Sequence, residues 1–540
     1  MSHLVESLRR RPAVAAALCG LLALALALPG LGNLGGASHG DEGFYLSVVT
    51  DMVDGGRIAP SHDGSLVFQK PPLVFWAARL AMALFGRDAF AARLVAALAA
   101  AATCAAGALF AAETAGPEAA PIAGLLLAGS FGITRFSREL MLDLPLAACL
   151  AASLVNVARA LPGRPRALVW AGFFGGLSLG VKGPIGPFVL LLAAAAALAG
   201  LRRLELLRRP PLWWGALAGA AISLPWFAWM IATHPREFWE TAVVDQYFRR
   251  FSSAHGQMRL GLLWGTLLYA APFLPVAAVG LVRAIRLPEV RRRSALALGW
   301  LLAFYVVFSL PEEHGLHYPL LVLVPLAALA AEAALAGGEA ARWTRRLVGL
   351  TLLAATAALL AAARFGVAAW TIPVAAPLLL AAAVLWSRGP PIAAAAGSGA
   401  VALASCVVFG YLAPAVGRPL VPAGIGRVIA GRPVGVYAEH PGPFRLATGA
   451  KDLKELWGEG ALRGALDRDE IVLAREHALA GTSPALRARM VPFFLWRRTR
   501  PYLAVGDVWA AWRAGDLDAL GETCALYRRT LRAPAVVERR

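Results

Sequence analysis

The sequence predicts an all-α polytopic membrane protein with about thirteen transmembrane helices and a small exported α/β domain near its C-terminal end. Of its 540 residues, 59% are hydrophobic and only 16% are charged. A soluble protein of this length cannot bury so much apolar material. Many apolar runs also reach the roughly 18 residues that a helix needs to cross the hydrocarbon core. The chain is therefore expected to use lipid as its solvent.

The apolar runs set the expected topology. The first run could be a cleaved signal peptide, but the spans that follow favour a retained first helix, and either reading exports the next loop. The expected spans are 13–33, 89–112, 119–136, 140–160, 167–181, 184–201, 211–233, 260–282, 295–310, 317–336, 345–363, 367–387 and 392–414.

The net charge of +19 comes largely from arginines clustered between these runs. In a soluble protein such an excess would suggest nucleic acid, but clustered arginines are typical of cytoplasmic loops, so no nucleic acid partner is predicted. With the N-terminus inside, the positive-inside rule is satisfied. Five cysteines form no framework, and we expect no disulfides.

This topology places two larger regions on the exported side. Residues 34–88 are too polar to span and read as two amphipathic helices at the membrane interface, 42–54 and 71–85, joined by turns. Residues 1–414 form the expected transmembrane domain, and 415–540 form the expected exported domain. The mixed pattern of 415–540 predicts strands at 434–439, 471–475 and 502–505.

Asp41 and Glu42 follow the first span closely, on the exported side. A carboxylate there could orient an acceptor hydroxyl and remove its proton. Asp41 could instead only cap the helix that begins near Glu42. The residues alone leave both readings open.

Lys70, Pro71 and Pro72 open the second interfacial helix. Proline suits a first turn, and the free amides of a helix start favour an anion, so Lys70 is a candidate phosphate contact. The alternative is a lysine that snorkels beside a helix-starting proline pair.

More charge lies at the exported ends of later spans. Arg138 and Asp143 begin the fourth span, and ionisable residues inside a span usually mark function, although Asp143 could pair structurally with an arginine. Lys182 lies in a glycine-rich stretch, Gly175 to Pro184, where it adds a cation; this stretch could equally be a helix–helix turn.

Two further exported loops carry polar residues. Segment 234–259 is basic and aromatic and includes Arg250; it fits a sugar-phosphate head group or a solvated interfacial helix. Glu312, Glu313, His314 and His317 form only a weak zinc signal. We predict no metal site here and no obligatory cofactor, with a divalent metal left as an open alternative.

Taken together, the order and shared face of these motifs resemble the bacterial GT-C glycosyltransferases, of the aminoarabinose transferase and protein O-mannosyltransferase type. The resemblance covers about the first 330 residues. The matching stretches are Asp41-Glu42 with Tyr45, Lys70-Pro71-Pro72-Leu73 through Phe85-Gly86 to Arg93, Arg138 to Asp143, Gly176 to Pro184, Pro225-Trp226, Arg250-Phe251 and His317-Tyr318 with Pro325.

The resemblance implies a GT-C membrane bundle that takes a sugar from a polyprenyl-phosphate (undecaprenyl-phosphate) donor and passes it to lipid A, a glycan or a protein hydroxyl, with inversion. It also implies residue roles. The expected catalytic residues are Asp41, Glu42 and Asp143; the expected phosphate contacts are Lys70, Arg138, Lys182 and Arg250; the expected substrate pocket is Tyr45, Pro71, Pro72, His317 and Tyr318.

The sequence departs from the family at two points. Gln69 stands where the family often carries Glu, and the acidic stretch 311–314 replaces family lysines, so neither role is transferred. The expected location is the bacterial inner membrane, with the site and C-terminal domain on the periplasmic side. A transporter or flippase of lipid-linked sugars remains the alternative function, although no inverted repeat supports it.

Overall fold

The computed structural model describes residues 11–35, 40–249, 260–311, 315–363, 368–388, 390–407, 418–500 and 505–530. The chain is mostly helical, and a five-stranded sheet lies in the C-terminal part. Alanine and leucine dominate the helices because both have high helix propensity, and a helix satisfies its own backbone groups in lipid. The sequence predicted both the mostly helical chain and the presence of strands in its C-terminal part.

The first half of the described chain contains short and long helices and one two-stranded hairpin. A 3₁₀ helix at Leu204–Arg208 and a π-helix at Trp239–Arg249 accompany them. In order, the elements are α1 Pro12–Ala27, α2 Gly40–Asp54, β1 Ser61–His62, β2 Ser65–Leu66, α3 Leu73–Phe85, α4 Ala89–Ala115, α5 Ala119–Ala128, α6 Phe131–Phe136, α7 Asp143–Ala160, α8 Ala167–Lys182, α9 Ile185–Gly200, α10 Pro210–Ala220, α11 Leu224–Thr233 and α12 Pro235–Phe238.

The second half completes the bundle and then forms the sheet. Two 3₁₀ helices lie at Tyr318–Val322 and Leu517–Leu520. The remaining elements are α13 Gly261–Tyr269, α14 Leu274–Arg286, α15 Pro288–Arg293, α16 Ala295–Phe308, α17 Leu323–Leu335, α18 Gly338–Ala362, α19 Ala368–Ser387, α20 Pro390–Val407, α21 Ile425–Ile429, β3 Val434–Tyr437, α22 Gly442–Thr448, β4 Leu453–Leu456, α23 Gly458–Asp467, β5 Ile471–Arg475, α24 Glu476–Leu479, α25 Pro484–Arg487, β6 Met490–Thr499, α26 Val505–Ala514 and β7 Gly521–Arg529.

Within the described residues, four helical segments are long and apolar enough to cross a membrane, and the number rises to six if each bent pair counts as one span. Shorter apolar helices such as α1, α8 and α9 pack beside them. The expected total of about thirteen spans therefore stays a prediction.

Some expected spans are not straight helices. The run 211–233 is divided into α10 and α11, which meet at 61°, and the run 260–282 is divided into α13 and α14, which meet at 111°. Pro225 and Pro275 lie in the first turns of α11 and α14. Proline lacks the amide that continues a helix but suits its first turn, so each break falls where a new helix can begin.

Helices α8 and α10 touch backbone to backbone. Gly172 and Gly176 on α8 face Gly215 and Gly219 on α10, and a Cβ at any of them would overlap a carbonyl oxygen of the opposite helix. This small-residue seam is a usual way for membrane helices to approach closely. Gly176 belongs to the glycine-rich stretch around Lys182, so the seam explains part of the composition of that stretch.

Residues 40–88, which make up most of the predicted first exported segment, fold as two helices joined by a hairpin. The helices α2 and α3 match the two expected helices to within about two residues. Between them, Ser61 pairs with Leu66, and the turn residues Asp63 and Gly64 both have positive φ, as a two-residue hairpin turn requires.

The C-terminal domain contains a five-stranded sheet of order β4-β3-β5-β7-β6. Strands β4, β3 and β5 run parallel, and β7 and β6 are antiparallel to their neighbours. Two of the predicted strands appear as β3 and β5. The third predicted strand, 502–505, is wrong at Val505, because this residue begins helix α26. Residues 502–504 lie outside the described residues. The predicted domain boundary at 414 also lies outside it and stays a prediction.

Candidate active site

Asp143 and Lys182 form a largely buried ion pair where the ends of two helices meet. Asp143 begins α7 and Lys182 ends α8, so each charge lies at the helix end whose dipole favours it. The Lys182 Nζ lies 2.6 Å from Asp143 Oδ1, and the Asp143 side chain is 1% exposed. A buried carboxylate needs such a partner, and this pair fixes both side chains.

His317 connects this pair to Asp41. Its Nε2 lies 3.7 Å from Asp143 Oδ2 and 3.8 Å from Asp41 Oδ2, too far for direct hydrogen bonds but close enough for electrostatic attraction when the ring is protonated. The neighbouring ring of Tyr318 lies 4.9 Å from Lys182 Nζ, a cation–π distance. Four separate segments thus meet at one place.

The two aspartates differ in what they can reach. The Asp41 side chain is 48% exposed, whereas Asp143 is almost fully buried and one of its oxygens is bonded to Lys182. Asp41 lies in the first turn of α2, where the helix dipole stabilises a carboxylate. Of the two, Asp41 is the carboxylate that a substrate hydroxyl could approach.

Lys70 approaches the same cluster from the first exported segment. Its Nζ lies 3.3 Å from Gln246 Oε1 on the π-helix, and its charge attracts Asp143. Pro71 and Pro72 are buried and lead directly into α3. The residue type of Gln246 gave no signal in the sequence, and only the fold brings it here.

Glu42, the neighbour of Asp41, faces the protein interior. Its side chain is fully buried, and Arg93 binds both of its oxygens, at 2.7 and 2.8 Å. The amide of Leu140 donates a further hydrogen bond of 2.9 Å to Glu42. Its expected catalytic role stays a prediction, and these contacts suit a residue that positions α2.

Arg138 donates hydrogen bonds to the carbonyl oxygens of Leu26 and Pro29, at and just beyond the end of α1. Beside it, burial raises the pKa of Glu139 to about 7, although the charge of Arg135 acts in the opposite direction. These contacts hold α1 against the turn before α7. The expected phosphate contact by Arg138 is untested.

Two expected site residues remain to be placed, Tyr45 and Arg250. The ring of Tyr45 is buried and packs edge-on against Phe75, with centroids 5.7 Å apart, on the inner side of the first exported segment. Arg250 lies outside the described residues, as does 312–314, so the structure says nothing of the weak zinc signal there.

An apolar cavity of about 360 Å³ lies between α7, α8, α9 and α10. Ser153, Trp213 and glycines of the α8 seam line it, together with Leu179 and Pro184, which flank Lys182 in the chain. The cavity follows α8 from Leu168 to Leu179, and its lining residues are separate from those of the polar cluster.

Comparison with known proteins gives consistent matches. Residues 69–229 match the family model described as dolichyl-phosphate-mannose-protein mannosyltransferase. The chain is 31% identical over 328 residues to the undecaprenyl phosphate-alpha-4-amino-4-deoxy-L-arabinose arabinosyl transferase of Pseudomonas aeruginosa, and 28% identical over 305 residues to transferase 2 of that name from Pseudomonas fluorescens. The matched parts are 58% and 52% of those relatives, so the chain spans little more than half their length.

Solved structures extend the likeness to nearly the whole chain. ArnT from Cupriavidus metallidurans, bound to undecaprenyl phosphate, has a TM-score of 0.71 at 19% identity, and its apo form has a TM-score of 0.68. Both matches cover 94% of this chain and 97% of ArnT. The predicted resemblance to GT-C glycosyltransferases of the aminoarabinose transferase type is confirmed, and this chain has the ArnT fold.

Proposed function

We propose that this protein is a membrane glycosyltransferase that moves a sugar from a polyprenyl-phosphate donor to an acceptor of the cell envelope. The observation that carries the proposal is the convergence of a half-exposed carboxylate, Asp41, with two cations, Lys70 and Lys182, around the start of α7 and the end of α8. Such an arrangement suits a reaction in which a hydroxyl loses a proton while a phosphate leaves.

The proposed reaction is a single displacement. Asp41 orients the acceptor hydroxyl and accepts its proton as the oxygen attacks the anomeric carbon. The bond from that carbon to the phosphate oxygen breaks, and its electron pair leaves with the phosphate. Lys70 and Lys182 stabilise the growing negative charge, so no strong general acid is needed. Attack from the face opposite the phosphate inverts the anomeric carbon.

The buried Asp143 has a supporting role in this scheme. Its ion pair holds Lys182 in place, and its second oxygen faces His317. A protonated His317 would attract both carboxylates and so hold the two aspartate side chains near each other.

The apolar cavity supports a lipid-linked donor. Its lining from α7 to α10 offers hydrocarbon contacts along α8, the helix that ends at Lys182. A polyprenyl chain could lie there, because an apolar lining gives it van der Waals contacts of the same kind as the lipid tails that it leaves. The names of the matched relatives make undecaprenyl-phosphate-linked 4-amino-4-deoxy-L-arabinose the first donor to test. Lipid A, glycans and protein hydroxyls are the acceptors to compare.

Purified protein is expected to transfer labelled sugar from the undecaprenyl-phosphate-linked donor to envelope extract. The Lys70→Ala variant is expected to bind this donor about 10- to 100-fold more weakly, because it loses a charged hydrogen bond. Lys454→Ala, at an exposed lysine of the C-terminal domain, is the matched control. Equal binding of polyprenyl phosphate by both variants would leave Lys70 a snorkelling residue. Donor binding without transfer to any acceptor would favour a transporter.

We also propose that the site and the C-terminal domain face the periplasm, with the chain in the inner membrane. Three exposed positions test this orientation in a background without native cysteines: Ser65, Ala480 and Leu204. In spheroplasts, an impermeant maleimide should label Ser65→Cys and Ala480→Cys, and should label Leu204→Cys only after permeabilisation. The reverse pattern would place the cluster in the cytoplasm and remove the proposed reaction.

A further inference from the structure

A second polar cluster lies where the C-terminal domain rests on the first exported segment. His62 ends β1, His440 follows β3, and Glu455 lies within β4. One ligand atom from each residue lies within 4.8 Å of the others, and all three side chains are partly buried. Among the described residues, this is the one group of three His, Cys, Asp or Glu side chains close enough to share a metal ion.

The geometry of the cluster suits a cation at its centre. His62 Nε2 contacts one oxygen of Glu455, and His440 Nδ1 lies 3.0 Å from the other. The His440 Nδ1 is buried and makes no hydrogen bond to a described residue despite this short distance. Two atoms that both carry lone pairs, brought together off the hydrogen-bond direction, are satisfied by a positive ion between them. Ligand atoms around a tetrahedral zinc ion are about 3.4 Å apart, which small side-chain movements reach here.

The surroundings hold both imidazole rings in place. The Phe44 ring lies 5.4 Å from the His62 ring and 5.6 Å from the His440 ring, measured between centroids. Trp457 donates its indole N–H to the Glu455 carboxylate. Rings and carboxylate are therefore oriented before an ion arrives, which lowers the entropic cost of binding. Two histidines and a glutamate are a frequent protein donor set for zinc with a water in the fourth position.

Other contacts fasten the same two parts together. Arg445 forms a 2.5 Å ion pair with Asp63, whose second oxygen accepts a 2.7 Å hydrogen bond from the amide of Glu455. The amide of Gly442 donates to Ser47 on α2, at 2.7 Å. Since α2 also carries Asp41, whatever holds this contact also holds the helix of the candidate base.

We propose that His62, His440 and Glu455 bind a divalent transition metal, with Zn²⁺ the best match, that fastens the C-terminal domain to the first exported segment. Two ligands come from the domain and one from the hairpin, so the ion closes a link between segments nearly 400 residues apart. Its role is to hold α2 in place. The proposal does not depend on the donor or acceptor of the transferase.

Metal analysis of the full-length protein in detergent tests the site. After chelation, reloading with zinc and removal of free ion, the parent should retain about one equivalent that His62→Gln, His440→Ala and Glu455→Gln lose. His477→Ala, at an exposed histidine of the same domain, should keep it. Cobalt in place of zinc should give the intense visible absorption of a tetrahedral site in the parent and in His477→Ala alone.

Thermal stability gives an independent readout. Zinc should raise the melting temperature of the parent and of His477→Ala but not that of His440→Ala, because an ion that binds only the folded state stabilises it by mass action. Size-exclusion profiles show whether each variant is folded. Zinc content equal in the parent and His440→Ala, or no retention by the parent, would overturn the proposal and leave a hydrogen-bonded cluster. Neither result would bear on sugar transfer.

Discussion

Asp41→Asn is expected to lower turnover by about 10²–10⁴-fold while leaving the melting temperature unchanged. Asparagine favours a helix start about as well as aspartate but cannot accept a proton at neutral pH. Because the Asp41 side chain is half exposed, the change creates neither a cavity nor a buried unpaired charge. Transfer of labelled sugar from a polyprenyl-phosphate donor is the measurement.

Asp88→Asn is the matched control for this prediction. Asp88 caps α4 by accepting a hydrogen bond from the amide of Ala91, so it is a carboxylate at a helix start with a purely structural contact. Its variant should retain both turnover and stability. Near-parental transfer by Asp41→Asn would contradict the proposed base and move that role to Asp143 or Glu42, which Asp143→Asn would then distinguish.

Glu42→Ala is expected to lower the free energy of unfolding by about 3–5 kcal/mol, because it leaves the Arg93 guanidinium buried without its carboxylate. The double variant Glu42→Leu/Arg93→Leu should recover much of this loss, since it removes both charges together. Equilibrium unfolding in mixed micelles, compared with the parent and each single variant, measures the coupling between the two residues.

Transfer activity then separates the two roles of Glu42. If Glu42 only positions α2, activity should follow the folded fraction across the single and double variants. A Glu42→Gln protein that is as stable as the parent yet inactive would contradict this reading and make Glu42 catalytic. The neighbouring aspartate gives the opposite pattern, with activity lost and stability kept.

The sequence predicted a mostly helical chain with apolar helices because lipid imposes a strong length and composition rule. The sequence did not predict that proline divides some apolar runs into two helices. An average of hydropathy over a window does not detect a bend such as the one between α13 and α14. The sequence also missed β4, which has only four residues, and β6 and β7, whose residues do not alternate regularly between buried and exposed. Strand pairing depends on neighbours that a local pattern does not contain.

For the candidate site, the sequence placed charged residues on one face but not in pairs. Asp41 and Glu42 looked equivalent, yet successive residues on a helix point about 100° apart, so one faces solvent and the other Arg93. The contacts of Lys182 and His317 with Asp143 come from helix packing. His62 and His440 are too far apart in the chain for any motif to connect them.

The glycine seam between α8 and α10 gives the two cations different mechanical freedom. Because the two backbones touch without side chains between them, neither helix can slide or roll without opening the whole contact. Lys182 therefore lies at the end of a rigidly packed helix. Lys70 lies between elements, and its contact with Gln246 is to a long, rotatable side chain. A phosphate arriving between them would meet one stationary charge and one that can follow it.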